Sequence, residues 1–147
     1  MDGMSLLFDN LMKAIELLLL AILLIALTSV FLANREMAFI ETQITLMAKD
    51  MVDQADKDGG FRSEVYAQTQ NEYLQNKIKT WVKPSDVKIT YMSPAMGTKR
   101  SYLGQPVTLE LQIQARKLGL GWIKKDLKVR TSSVNRGNYG EGYAIGS

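Results

Sequence analysis

The chain of 147 residues contains no cysteine and no histidine. Disulfides, thiol nucleophiles, the commonest general base and the commonest zinc ligands are therefore excluded. Cysteine usage carries no compartment signal, since a cysteine-free domain fits an extracellular and a cytosolic location equally. No phosphate-binding Gly-Lys-Thr loop is present. Between Ser5 and Asp58 there is neither proline nor glycine, so nothing in that stretch interrupts a helix. Charge is missing too, from Leu17 to Asn34, a run of 18 residues whose body has only Thr28 and Ser29 as polar members. Both hydroxyls can bond back to carbonyls one turn earlier. At 1.5 Å per residue such a run approaches the roughly 30 Å hydrocarbon core of a bilayer. The sequence predicts a membrane-inserted chain at one stage of its life.

A cleaved signal peptide is a poorer reading of this run. Its flank of Asp2, Asp9, Lys13 and Glu16 is net acidic, and the run exceeds the usual 7–15 residues. Ala33-Asn-Arg-Glu36 then continues the helical pattern. Lys13 and Arg35 nearly balance across the run, so charge does not set orientation.

The net charge of +3 conceals a division. Residues 1–58 carry four basic and nine acidic side chains, and residues 59–147 carry fourteen and six. An acidic stalk joined to a basic head suits self-association, and it equally suits a head facing anionic lipid or wall polymer.

Beyond Arg35, Ile40, Ile44, Met47 and Met51 recur at spacings of four, three and four, one apolar stripe on a helix. The stripe needs a partner, which is the chain's own head, another copy, or both. Gly59-Gly60 ends a predicted helix of about 80 Å. Ser63 is a candidate N-cap for a second helix, Glu64 to about Val82, with Leu74, Ile78, Trp81 and Val82 on its buried edge and Pro84 as its stop. Three strands are expected: Val87, Ile89 and Tyr91 alternating inward; Val107 to Ala115, the cleanest period of two; and Leu127 with Val129. Leu118-Gly-Leu-Gly-Trp122 reads as a hairpin bend. The fold class is α+β. A long N-terminal helix (1–58, with the apolar segment 17–34) precedes a small head (59–134) of one helix and about three antiparallel strands. A glycine-rich tail (135–147) closes the chain, with Tyr139 and Tyr143 as its candidate contacts to a neighbouring copy.

Few residues suggest chemistry. Asp50, Asp53 and Asp56 have a calcium-like spacing but lie on a helix where carboxylates diverge, so a solvated or partner-facing surface is expected. Gly119-Leu-Gly121 lacks the following helix a nucleotide loop requires. Arg116, Lys117, Lys124, Lys125, Lys128 and Arg130 cluster around one hairpin and fit acidic neighbours or wall polymer better than nucleic acid. No enzyme is expected, and a hydrolytic activity abolished by changing Asp126 or Glu110 would be needed to revive that reading. Glu16, at the edge of the apolar run, either reaches the headgroups or neutralises a positive group such as Lys13, or a terminal amine, of an adjacent copy.

A short N-terminal segment, a glutamate opening an apolar helix (Ala14-Ile-Glu-Leu-Leu-Leu-Leu20), a long amphipathic continuation and a small αβ head resemble the type IV pilin superfamily. The likeness is nearest to TadE-like pseudopilins and to small pilin-like proteins of conjugative elements, whose heads end much as Lys128-Val-Arg-Thr-Ser-Ser133 does. The resemblance implies a bacterial structural subunit without cofactor or metal. It would be held in the cell membrane as a precursor, then polymerise with copies of itself into a surface filament, with pilus assembly machinery as a partner. Assembly would run through Leu17–Ala33, with the small residues Ala21, Ala26, Thr28 and Ser29 permitting close approach and Ile40, Ile44, Met47 and Met51 extending the contact. One departure concerns processing. A glutamate at the fifth mature position would require a cut after Leu11, where the family has glycine or alanine, so processing is atypical or the start is retained.

Overall fold

The computed structural model describes residues 2–100 and 103–136. Helix α1 (Asp2–Asp58) is one uninterrupted rod of 57 residues, about 85 Å long, as the absence of breakers requires. It stops where Gly59 takes a left-handed φ of 82°, the conformation that closes a helix without a Cβ penalty. Helix α2 (Ser63–Tyr73) starts one residue before the expected first residue. Arg62 takes the cap position with extended backbone, while Ser63, the expected cap, is already helical. The helix then widens into a π-helical turn (Leu74–Ile78), ending before Val82. Leu74, Ile78 and Val82 are buried as expected, and Trp81 is half-buried with its ring edge-on to Phe39.

Strands β1 (Val87–Ser93), β2 (Pro106–Leu118) and β3 (Ile123–Val134) form an antiparallel meander with β2 at its centre. The architecture is therefore the α+β one expected. Val107, Leu109, Leu111, Ile113 and Ala115 are all fully buried, so the period of two in β2 reports one covered face. That face leans on the outer half of α1, and α2 lies along α1 beside it.

Two bulges alter the expected pattern. The register of β1 shifts between Ile89 and Tyr91, which places Tyr91 opposite Glu110 on the outer face and Met92 opposite Leu109 on the core side. Val87 and Met92 pack against the core in place of the expected Val87, Ile89 and Tyr91, while Ile89, opposite Leu111, is left 41% exposed at this edge strand. In β2 a second shift falls between Ala115 and Leu118, where Lys117 adopts φ 58°, and it returns Leu118 to the core.

The end of β3 is tied to α1 by Asp56, whose carboxylate is wholly buried. It accepts hydrogen bonds from Ser133 Oγ at 2.8 Å and from the Arg136 guanidinium at 3.0 Å, while Arg136 N–H donates to the Asp56 carbonyl at 2.9 Å. Asn135 is also fixed, through bonds to Gln105 and Gly104. The first two residues of the expected glycine-rich tail (135–147) are thus part of the head; Tyr139 and Tyr143 lie outside the described residues. Asp56→Ala should lower head stability by about 2 kcal/mol, because it removes a charge-assisted cluster although Arg136, more than half exposed, can rehydrate. Thermal unfolding followed by circular dichroism would measure this, and an unchanged midpoint would contradict the role assigned to the cluster.

Candidate functional site

The feature of the molecule that most requires explanation is the inner half of α1. From Met4 to Phe31 its large apolar side chains are exposed in every direction. Its most apolar window of 18 residues has a mean hydropathy of 2.8 and is only 6% buried. By length and composition this helix is able to cross a membrane. An exposed apolar surface of this size is far beyond the few hundred Å² that soluble monomers leave uncovered. A helix apolar on all sides is a helix meant to be surrounded.

Leu17, Ala21 and Thr28 lie on this exposed surface, and Ala26 is half-buried. Lys13 and Glu16, three residues apart, share one side of the helix and are both exposed. Among the described residues neither makes an ion pair.

The remaining expected assembly residues are placed differently. Ile40, Ile44, Met47 and Met51 are buried against the chain's own head. The stripe's partner is intramolecular, which leaves these four no surface for another copy. The same stripe runs further toward the N-terminus than expected, through Ala33 to Ser29. Ser29 was expected to pack against a neighbouring copy; it is instead fully covered by the β2–β3 hairpin.

That hairpin forms the joint between head and apolar rod. Gly119 N–H donates to Glu36 Oε2 at 2.9 Å, Leu120 N–H donates to Ser29 Oγ at 3.3 Å, and Lys125 Nζ donates to Asn34 Oδ1. Glu36 reaches the hairpin because helix side chains lean toward the N-terminus. Gly119 has φ 65°, and a Cβ there would stand 2.5 Å from the Ser29 carbonyl oxygen. The bend therefore needs glycine both for its turn and for its closeness to the helix. Beyond the joint, Leu120 and Trp122 are exposed at 55% and 64%. A readable signal for this contact existed: Ser29 and Ala33 continue the Ile40–Ile44 spacing as small residues, the mark of close backbone approach.

The basic cluster is divided by its partners. Arg116 pairs with the buried Asp86 at 2.8 Å, and Lys128 and Arg130 flank Glu110 at 3.4 and 3.5 Å. Thr90 Oγ1 donates to Glu110 Oε1 at 2.9 Å, and Arg130 lies over the Tyr91 ring, 5.1 Å from its centre. The Thr90 hydrogen bond, followed by Lys128 and Arg130, holds the Glu110 carboxyl below its ordinary range. Lys117 and Lys124 project into solvent beside the hairpin tip.

The three aspartates diverge as expected, but only in part toward solvent. Asp50 accepts a hydrogen bond from the Tyr73 hydroxyl, which pushes the phenol up to about 12. Asp53 is half-buried, and Asp56 serves the internal cluster described above. Among the described residues no group of three or more acidic side chains is arranged to hold a metal ion. No family model matches this chain, and neither a curated protein nor a solved structure matches it.

Proposed function

We propose that this chain is a structural subunit of a type IV pilus-like surface filament or pseudopilus. It is held in the cell membrane as a precursor and polymerised through its apolar half-helix. The observation that carries the reading is the bare rod from Met4 to Phe31, joined rigidly to a compact head that covers none of it before Ala26. Lipid can surround such a rod, and so can the rods of identical subunits, which are equally apolar. The side chains that remain for packing between copies are Leu17, Ala21, Ala26 and Thr28, with Lys13 and Glu16 setting the charge register. The chemistry the head carries is ion pairing and core packing, which suits a structural role and calls for no catalysis.

A second reading has its own support. Burial of Ile40, Ile44, Met47 and Met51 beneath the chain's own head removes the outer part of the surface a polymer would use. That favours a single-span membrane protein with a binding head, an accessory part of a secretion or conjugation apparatus that does not polymerise. Electron microscopy of sheared surface material separates the two. Filaments labelled by an antibody to the head are expected under the first. Strict retention of the chain with membranes, and no labelled fibre, would overturn it in favour of the second.

A further inference from the structure

The joint at Ser29 fixes how deep the head sits relative to the apolar run. Ser29 lies five residues before Asn34, where that run ends, or ~7.5 Å along the helix axis. With residues 17–34 spanning the hydrocarbon, the hairpin tip is below the level at which the run leaves it. That depth coincides with the headgroup–acyl boundary, where interfacial apolar side chains settle ~5–10 Å deep. The side chains at this level are Leu120 and Trp122, both more than half exposed. Tryptophan is the residue that bilayer interfaces favour, its ring apolar and its N–H able to bond to headgroups. Lys117 and Lys124 flank the tip in solvent, and Lys125 beside them bonds Asn34 at the end of the run. The acidic groups nearby are Glu36, which is half-buried and receives the Gly119 N–H, and Asp126 further along β3.

We propose that the β2–β3 hairpin tip is a second membrane contact, dipping Leu120 and Trp122 into the interface of the leaflet next to the head while the flanking lysines meet anionic lipid phosphates. The inference rests on the membrane-inserted stage of the function proposed above. Three observations select lipid as the occupant. The tip is continuous with the exit point of the apolar helix, since Leu120 N–H is bonded to Ser29. The charge around it has the sign that anionic headgroups attract. Its area is small: two side chains of this size expose roughly 250 Å², about a third of the ~800 Å² per partner that a stable protein interface needs. The arrangement also has a consequence for the head. A rod with one contact point can rotate and tilt freely, whereas a rod with a lateral wedge holds its head at one height and one azimuth above the membrane.

Tryptophan fluorescence of the full chain in phosphatidylcholine–phosphatidylglycerol vesicles tests this. Trp81→Phe leaves Trp122 as sole reporter, and Phe keeps a ring against Phe39. The difference between wild type and Trp122→Phe gives the same signal independently of that change. A second reporter, Leu24→Trp in a Trp81→Phe, Trp122→Phe background, marks the middle of the span, ten residues or ~15 Å from Asn34. Trp122 should be shielded from aqueous acrylamide and quenched more by lipid brominated near the headgroup than by lipid brominated near the chain end. The reporter at position 24 should show the reverse preference. If position 24 is quenched by lipid while Trp122 stays open to acrylamide and indifferent to bromine, the wedge is refuted and the span stands. If neither is quenched by lipid, the membrane reading fails and takes the wedge with it. Shielding of Trp122 from both quenchers means protein covers the tip, which also refutes the proposal.

Discussion

On the filament reading proposed above, Glu16→Leu should cut filament yield sharply while the protein continues to fractionate with membranes. The substitution makes the helix more apolar, so insertion is not impaired. What it removes is discrimination between ways of stacking identical rods. In the wild type a carboxylate forced among apolar neighbours costs about 2.5–3.5 kcal/mol at the centre of an apolar layer. Every stacking that buries Glu16 without a cation is penalised by an amount of that order. The stacking that sets it against Lys13 or a terminal amine of the next copy avoids the penalty. Leucine at this position makes the alternatives nearly equal, as when a single buried polar group that fixes register is removed from a helix bundle. A loss of filament yield of at least tenfold is expected, corresponding to about 1.4 kcal/mol per subunit contact. Yield is read by immunoblotting the sheared fraction. If Lys13 is the partner, Lys13→Glu combined with Glu16→Lys should recover part of it. Normal yield from Glu16→Leu alone would remove the register role.

The elements of the fold were legible because each rests on a local pattern. An uninterrupted helix follows from 54 residues without a breaker, and β2 follows from five inward apolar positions at a period of two. Patterns of this kind do not say what lies on the other side of an apolar face. The stripe at Ile40, Ile44, Met47 and Met51 demanded a partner, and only the three-dimensional path of the chain decides between its own sheet and another copy. Bulges are illegible for a related reason. The shift at Thr90 leaves composition unchanged yet turns Tyr91 outward to Arg130 and Met92 inward. Asp56 shows the same limit for polar residues. Its spacing to Asp50 and Asp53 resembles a metal site or a wet surface, whereas its partners, Ser133 and Arg136, lie nearly eighty positions away.

Long-range contacts of this kind also join head and rod. The stalk's outer half is a core helix of the head, so a force applied to the apolar half is passed directly into the sheet. Such a coupling would serve a polymerising subunit and an anchored binding module alike. The choice turns on what surrounds residues 4–31, and the joint at Ser29 sets where that surrounding must end.

Gly119→Ala and Gly121→Ala, two residues apart in the same hairpin, should differ sharply. Both glycines have positive φ, 65° and 102°, so each alanine incurs a conformational cost of about 1–2 kcal/mol. At Gly121 nothing lies within 4 Å of the new methyl group, and the cost ends there. At Gly119 the methyl group meets the Ser29 carbonyl at 2.5 Å and the Ser29 hydroxyl at 2.6 Å. The carbonyl belongs to the backbone of an unbroken helix and cannot turn aside, so the hairpin must lift. Lifting it strains or breaks the bonds from Gly119 to Glu36 and from Leu120 to Ser29, adding roughly 1–3 kcal/mol of overpacking and lost contact. The total for Gly119→Ala is about 3 kcal/mol, a lowering of the melting midpoint by more than 10 °C for a head of this size. Gly121→Ala should lower it by about half as much. Equal shifts from the two variants would mean that the hairpin is not seated on the helix, and the depth assigned to Trp122 would lose its basis. If the shifts differ as expected, Gly119→Ala should also raise the acrylamide sensitivity of Trp122 in vesicles, because the lever that holds the tip against the rod has been pried away.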